Sequence, residues 1–154
     1  MKDKSLLKTF KDIIKTCNFV NLATVNQDGF PEARAMLNLR NHSAFPKIQN
    51  LFTDDFTFYF TTNTSSEKMK QISLNDKASI YFVKENNFGG LLFTGKIKIV
   101  KDEKIKRSFW QDGWTMYYKG GVDDPDYTLL KFKAEKYKYY NGQFEVVSGT
   151  ACKK

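Results

Sequence analysis

The stretch that most constrains the fold lies near the middle of the chain and reads FTFYFTTNTSSEKMKQI over residues 56–72. Phenylalanine at positions 56, 58 and 60 alternates with Thr, Tyr and Thr, which predicts a strand with one buried face. Thr64 and Glu67 have the spacing of a capping box, so a helix is predicted to begin near Ser65. The stretch therefore predicts a strand, a hydroxyl-rich loop and a helix.

This strand–loop–helix junction has the chemistry of an anion site. The loop hydroxyls, the unpaired amides of the first helical turn and the Lys68 ammonium are expected to converge, which favours a bound phosphate. A helix N-terminus contributes only ~0.3–1 kcal/mol and each charge-assisted hydrogen bond ~1.5–3 kcal/mol, whereas a micromolar ligand needs ~8 kcal/mol. A ligand held here must therefore bury a flat apolar group as well. The alternative is a structural junction whose hydroxyls only cap the helix.

The other segments predict an antiparallel succession of strands with a few short helices. An amphipathic helix carrying Phe10 and Ile14 on its apolar face is predicted near the N-terminus, and a second helix over residues 102–111. Further strands are predicted over residues 19–25, 30–39, 78–83, 91–100, 128–140 and 144–147. Gly29 and the Asn141-Gly142 pair mark hairpin turns, and Gly95 marks a bulge or a close approach. Residues 41–50, 85–90 and 113–127 are predicted to be loops.

This order of elements favours a mainly β fold. There is no strand–helix–strand alternation and no G-x-G-x-x-G, so a Rossmann sheet is excluded. Six or seven antiparallel strands fit a small closed β-barrel with flanking helices. No linker or shift in composition divides the chain, and we expect a single domain over residues 1–154.

Composition limits the location and the partners. No apolar run approaches ~20 residues, and the charged N-terminus is no export signal, so we expect a cytoplasmic protein without a membrane span. Only Cys17, Cys152 and His42 could supply soft metal ligands, which argues against a structural zinc site. The net charge of +8 fits solvated lysines, a phosphate-bearing ligand or a nucleic acid, although no run of lysines exceeds two.

Side chains that could carry catalysis are scarce, and we assign no catalytic residue. One histidine, in a polar loop, and no Ser/His/Asp set leave a cofactor as the carrier of any chemistry. The strand RAMLNL places Arg34 on one face with Met36 and Asn38, either as a phosphate ligand or as an exposed arginine. Trp110 and Trp114 belong to an aromatic cluster that either packs as core or lines a pocket or a subunit interface.

Several of these segments, in this order, resemble a known family. FVNLATVNQDGFPEARAML, FYFTT and SSEKMKQI-x-x-NDKASIYF resemble the pyridoxamine 5′-phosphate oxidase-like split-barrel flavoproteins. FWQDGWTMYYKGGVDDPDYTLLKF resembles the general stress protein branch of that family, and the likeness extends over residues 8–140. The resemblance implies a homodimer of six-stranded antiparallel split β-barrels, with one FMN in each of two clefts at the subunit interface.

The resemblance also implies which residues contact FMN. The strand that carries Arg34, Ala35, Met36, Leu37 and Asn38 would lie along the isoalloxazine ring, with Arg34 reaching the phosphate or ribityl end. Thr61 and Thr62 would contact the ribityl-phosphate chain, and Ser66 and Lys68 the phosphate. Trp110 or Trp114, contributed by the second subunit, would cover the other side of the ring.

Two departures from the family pattern narrow the expected activity. Glu67 stands where the oxidase usually has arginine, and we expect it to face solvent. The C-terminal EVVSGTACKK has no counterpart of the oxidase's Arg and His for pyridoxal-phosphate substrates. We therefore expect a flavin-dependent oxidoreductase that acts on an unidentified small molecule. The alternatives are a flavin-binding, stress-related protein without a substrate and a basic β-barrel that binds nucleic acid.

Overall fold

The computed structural model describes residues 3–84 and 88–151 and contains seven strands in this part of the chain. The strands are β1 (Phe19–Val25), β2 (Pro31–Leu37), β3 (Thr57–Asn63), β4 (Lys77–Val83), β5 (Gly90–Ile99), β6 (Tyr127–Tyr140) and β7 (Val146–Thr150). The α-helices are α1 (Lys4–Thr16), α2 (Glu67–Leu74) and α3 (Glu103–Ser108). Within this part of the chain, no helix has both the length and the apolar character that a bilayer crossing requires. Cys152 and most of the predicted loop at residues 85–90 (residues 85–87) lie outside the described residues.

The strands form one antiparallel sheet in the order β2-β1-β4-β5-β6-β3, with β7 paired to the end of β6. The sheet curls until its two end strands, β2 and β3, approach each other without pairing. This is a mainly β split barrel of six strands with a few helices, as the family resemblance implied. The closed barrel that the order of elements suggested does not form, because β2 and β3 do not pair. The gap between β2 and β3 leaves one edge of each strand without a ladder partner.

The core fills the concave face of the sheet with aromatic rings. The alternation in β3 is confirmed, because Phe58 and Phe60 are fully buried. Helix α1 closes this core by placing the Phe10 ring 6.2 Å from the Phe93 ring and 5.0 Å from the Tyr137 ring. Burial of each such side chain stabilises the fold by ~1.5–3 kcal/mol, so these contacts hold α1 on the sheet.

A second core lies on the other side of β3 and β6 and absorbs the aromatic cluster. It contains Phe109, Trp114, Tyr118 and Tyr127 together with Leu39 and Ile48. Ile48 belongs to a 3-10 helix, Pro46–Leu51, in a segment that was predicted to be a loop. The prediction was wrong because not all of the polar side chains there face solvent: the half-buried Gln49 carboxamide donates to the carbonyls of Leu39 and Phe45 at 3.0 and 2.7 Å.

Three predicted boundaries also require correction. The strand predicted over residues 30–39 ends at Leu37, because the Asn38 side chain turns inward to bond the end of α1. The helix predicted over residues 102–111 ends at Ser108 and is followed by two 3-10 helices, Asp112–Met116 and Gly121–Asp123. The last strand begins at Val146 rather than at residue 144, because the Asn141 carboxamide accepts from two later amides and widens the turn.

Gly95 occupies a position that a side chain would disrupt. The register of β5 against β6 shifts between Thr94 and Gly95, which confirms the predicted bulge. A Cβ atom at Gly95 would overlap the Lys133 carbonyl oxygen and lie 2.9 Å from Cα of Ala134. We expect Gly95→Ala to lower the free energy of unfolding by about 2–3 kcal/mol.

Chemical denaturation measures this loss, and Gly113→Ala is the matched control. A Cβ at Gly113 meets nothing within 4 Å, so that variant should stay within about 0.5 kcal/mol of the parent. Equal stability of the two variants would contradict the close approach at Gly95.

Candidate functional site

The end of β3 and the start of α2 bring three predicted ligand groups together. The Lys68 ammonium donates to the Thr62 hydroxyl at 2.9 Å, and the Thr62 and Ser66 hydroxyls lie 3.4 Å apart. Thr62 is the last inward-facing residue of β3, and Lys68 lies in the first turn of α2. The structure therefore collects two hydroxyls and one ammonium group at the site predicted for an anion.

The predicted capping box does not form. Helix α2 begins at Glu67, two residues later than expected, and its N-cap residue Ser66 makes no side-chain capping bond. The Thr64 hydroxyl instead contacts the Pro125 carbonyl at 2.9 Å and the Thr128 hydroxyl at 2.6 Å. The Ser66 hydroxyl therefore has only its long contact with the Thr62 hydroxyl, at 3.4 Å, and can also bind a ligand.

The first turn of α2 has backbone donors to offer. The Met69 amide bonds the Ser66 carbonyl, but the Glu67 and Lys68 amides make no hydrogen bond with the described part of the chain. Unpaired amides at the positive end of a helix favour an anion. Together with the Ser66 hydroxyl and the Lys68 ammonium, they form a set of donors that matches a phosphate group.

Lys68 is half-buried and lacks an opposing charge. Burial, followed by the like charge of Arg34, lowers the pKa of Lys68 below its ordinary value. Among the described residues, no carboxylate lies within ion-pair distance of its ammonium group. Glu67 is exposed, as predicted. A bound anion would offset the unfavourable environment of this ammonium group.

Arg34 lies beside this cluster but is held by its own network. Its guanidinium donates to the Thr24 hydroxyl at 2.6 Å and to the Gln71 amide oxygen at 3.2 Å, and it lies 3.5 Å from a Glu32 carboxylate oxygen. Gln71 also donates to Glu32 at 2.6 Å. Only the Nε–H group of this guanidinium makes no hydrogen bond with the described residues. Because its other donors are occupied, the main effect of Arg34 on the neighbouring cluster is its positive charge.

Sequence reasoning missed Glu32 and Gln71, the two residues that position Arg34. Glu32 lies two residues before Arg34 on the same face of β2, and that spacing could have identified it. Gln71 is buried on α2, where the apolar pattern gave no reason to select a polar residue. Asp126 was also missed: it fixes the loop by accepting from the Asn63 carboxamide at 2.6 Å and the Ser65 amide at 2.8 Å.

The remaining predicted residues of β2 lie along the open edge of the sheet. Ala35 is exposed, Leu37 is half-buried and Met36 points into the core. Backbone N–H and C=O groups on this edge have no ladder partner, so the strand can meet a ligand through its main chain.

Asn38, predicted to contact the cofactor, is used for another purpose. Its carboxamide donates to the Ile14 carbonyl at 2.6 Å and the Cys17 carbonyl at 2.7 Å, and its backbone amide bonds the Asn18 carbonyl. The side chain is 2% exposed. The Asn38 side chain therefore has a structural role at the end of α1, and a contact between Asn38 and the cofactor stays a prediction.

Thr61 and the two tryptophans lie on the opposite face of β3 from Thr62. The Thr61 side chain lies near the Tyr118 hydroxyl, and burial, with the charges of Asp126 and Asp124, raises the pKa of Tyr118 to about 12. Trp114 is buried and the Trp110 ring packs edge-on against it at 5.9 Å. Among the large apolar side chains of this segment, Met116 is 74% exposed and Tyr117 is 62% exposed.

Five lysines are gathered on one face of the sheet, which the sequence did not reveal. Lys77, Lys96 and Lys133 face one another across β4, β5 and β6, and Lys98 faces Lys131 in the next row. Like charges directly opposite each other in a sheet are unfavourable. Only Lys96 of these five has an ion pair among the described residues, with Asp76 at 3.0 Å. The folded chain therefore has a basic outer surface on the side of the sheet away from its core.

Comparison with known proteins gives a consistent family assignment. The sequence profile described as Pyridoxamine 5'-phosphate oxidase matches residues 6–141. A protein from Clostridium acetobutylicum, related to general stress protein 26 of B. subtilis and of the pyridoxinephosphate oxidase family, is 31% identical. The alignment covers 97% of this chain and 96% of that chain, with a TM-score of 0.80. A comparison with curated proteins gives no match.

Two more distant structures share the fold. General stress protein 26 from Bacillus anthracis str. Sterne is 22% identical, with 92% of this chain and 97% of that chain covered and a TM-score of 0.70. A heme binding protein from Mycobacterium smegmatis is 14% identical, with 97% and 60% covered and a TM-score of 0.69. The profile match and the 31% identical relative both extend over most of the chain, and the chain therefore belongs to the pyridoxamine 5′-phosphate oxidase family.

Proposed function

We propose that this protein binds FMN as a homodimer and acts as a flavin-dependent oxidoreductase on a small molecule in the cytoplasm. The whole chain would form one FMN-binding domain. The observation that carries the proposal is the phosphate-shaped set of donors formed by Thr62, Ser66, Lys68 and the first-turn amides of α2. Their chemistry fits the phosphate end of FMN, which carries negative charge and several acceptor oxygens.

The residues around this set have separate tasks. Lys68 and Ser66 would hold the phosphate, and Arg34 would add positive charge from its network with Glu32 and Gln71. The open backbone edge of β2, at Ala35 and its neighbours, would orient the ring through main-chain hydrogen bonds. When bound, FMN supplies hydride transfer, and the protein contributes position and electrostatics.

The homodimer is supported by the surface next to this edge. Ala33 and Ala35 are exposed on β2, opposite Ala23 and Asn21 of β1, and Phe19 on the same face is 60% exposed. Small side chains let a second subunit approach closely, and the exposed ring gives it apolar area to bury. A partner placed here would cover both the edge of β2 and a ring lying along it.

We expect Lys68→Ala to weaken FMN binding at least tenfold, because it removes a charge-assisted hydrogen bond worth ~1.5–3 kcal/mol. Titration of the apoprotein with FMN, followed by quenching of flavin fluorescence, measures the dissociation constant. Glu67→Ala is the neighbouring control. It should bind FMN equally well or more tightly, since it removes an exposed negative charge near the phosphate. Unchanged affinity in the Lys68 variant would remove Lys68 from the site.

We expect Ala35→Glu to convert the dimer to monomers and to abolish FMN retention, because it places a charge in the proposed interface. Ala44→Glu, at an exposed loop position, is the control and should leave both properties unchanged. Sedimentation velocity gives the oligomeric state, and circular dichroism verifies that both variants are folded. A dimeric Ala35→Glu protein that retains FMN would place the interface elsewhere.

Two other functions have specific support. A flavin-binding protein without a substrate has the same site, and it differs in that anaerobic NADH or NADPH would leave its flavin oxidised. A nucleic-acid-binding function is favoured by the basic outer surface of β4, β5 and β6, where Lys98 and Lys131 face each other without a carboxylate in ion-pair range among the described residues. Binding to duplex DNA would in that case weaken steeply as salt rises.

A further inference from the structure

A cavity of about 900 Å³ opens between α1 and the segment that precedes β3. Its apolar wall is formed mainly by the side chains of Leu7, Phe10, Ile14, Phe52 and Phe56. Ligand-binding pockets in proteins usually measure about 300–1,000 Å³. The cavity shares no residue with the proposed FMN site, and it therefore needs an explanation of its own.

Arg40 is the charged group built most deeply into this wall. Its guanidinium carbon lies 4.5 Å from the centre of the Phe52 ring and 5.0 Å from that of Phe58. Nε and Nη2 donate to the Thr57 carbonyl at 3.1 and 2.8 Å, and Nη2 also donates to the Asp54 carbonyl. Burial lowers the pKa of Arg40 to about 10, against the opposing charges of Asp54 and Asp55. The guanidinium is thus fixed in place by carbonyls and rings.

One nitrogen of this guanidinium is left for a ligand. Nη1 of Arg40 makes no hydrogen bond with the described part of the chain. Every buried side-chain nitrogen or oxygen in that part of the chain has a hydrogen-bond partner. Because Nη1 has no such partner, it is not fully buried, and an acceptor can reach it. Among the described residues, no carboxylate lies within ion-pair distance of Arg40. A partly buried guanidinium without an ion pair is poorly hydrated, and this favours the binding of an anion beside it.

The carboxylates of the wall are already occupied. Asp12 pairs with Lys15 at 2.6 Å, and Asp55 pairs with Lys11 at 2.9 Å. Asp54 accepts from the Phe56 amide at 2.8 Å and the Thr57 hydroxyl at 2.7 Å. Lys8, which also lines the cavity, has no ion pair among the described residues. The cavity therefore has positive charge without an ion pair, from Arg40 and Lys8, beside the apolar side chains of its wall.

We propose that this cavity binds a small amphipathic carboxylate. Its chain or ring would lie against Phe52 and Phe56, and its carboxylate would accept from Nη1 of Arg40 beside the Lys8 ammonium. Charge and apolar surface are both needed, so a neutral compound of the same length should bind much less tightly. This site is independent of the proposed FMN site, and the two proposals can fail separately.

Titration calorimetry of the purified protein with decanoate tests the proposal, with decanol as the neutral comparison. We expect saturable binding of one decanoate per chain and at least tenfold weaker binding of decanol, since the charged hydrogen bond is lost. Arg40→Gln should weaken decanoate binding at least tenfold. No saturable binding, or equal binding of decanoate and decanol, would overturn the proposal.

If Arg40→Gln does not fold, variants of two exposed lysines on α1 still test the proposal. Lys8→Glu should weaken decanoate binding by about threefold or more, whereas Lys4→Glu, one turn away and outside the wall, should leave it unchanged. FMN retention should be the same in both variants. Equal decanoate affinity in the two variants would contradict the assignment. A stoichiometry below one decanoate per chain, as expected if two copies shared the cavity, would contradict it as well.

Discussion

The half-buried ammonium of Lys68 is the feature on which the rest of the site depends. It lies 2.9 Å from the Thr62 hydroxyl and is disfavoured both by burial and by the nearby charge of Arg34. Within the described part of the chain, no carboxylate compensates it. This arrangement does not favour the folded state, because a partly buried charge without an opposing charge costs free energy. A bound anion would offset this cost, and the gain would contribute to the affinity for the anion.

The split barrel explains why these groups meet. β2 and β3 are the two ends of the sheet, and curling brings them side by side without hydrogen bonds between them. β3 carries Thr62 and leads into α2, while β2 carries Arg34 and an open edge. The gap in the barrel thus has a cluster of hydrogen-bond donors, at Thr62, Ser66 and Lys68, next to an open backbone edge. A long ligand with a charged tail and a flat ring matches both.

The sequence predicted the features that depend on neighbouring residues. The alternation of β3, the turn at Gly29 and the bulge at Gly95 follow from local patterns, and the structure confirms each of them. The start of α2 was predicted two residues early, because Thr64 contacts Pro125 and Thr128, which are about sixty positions away. A pattern of neighbouring residues gives no information about partners so distant in the sequence.

The same limitation explains what local patterns missed around the candidate site. Asn38 lies on the predicted face, yet its side chain bonds carbonyls at the end of α1, more than twenty residues earlier. Gln71 and Glu32 meet only because α2 packs against β1, the strand that pairs with β2. The basic surface likewise needed the strand register, because its lysines are dispersed along the chain and gathered only by the sheet.

The most direct test of the central claim is the absorption spectrum of the freshly purified protein. The account predicts a yellow protein whose bands lie near those of free FMN. A colourless protein that gains no such band after incubation with FMN would contradict it. An intense haem band in place of the flavin bands would contradict it equally.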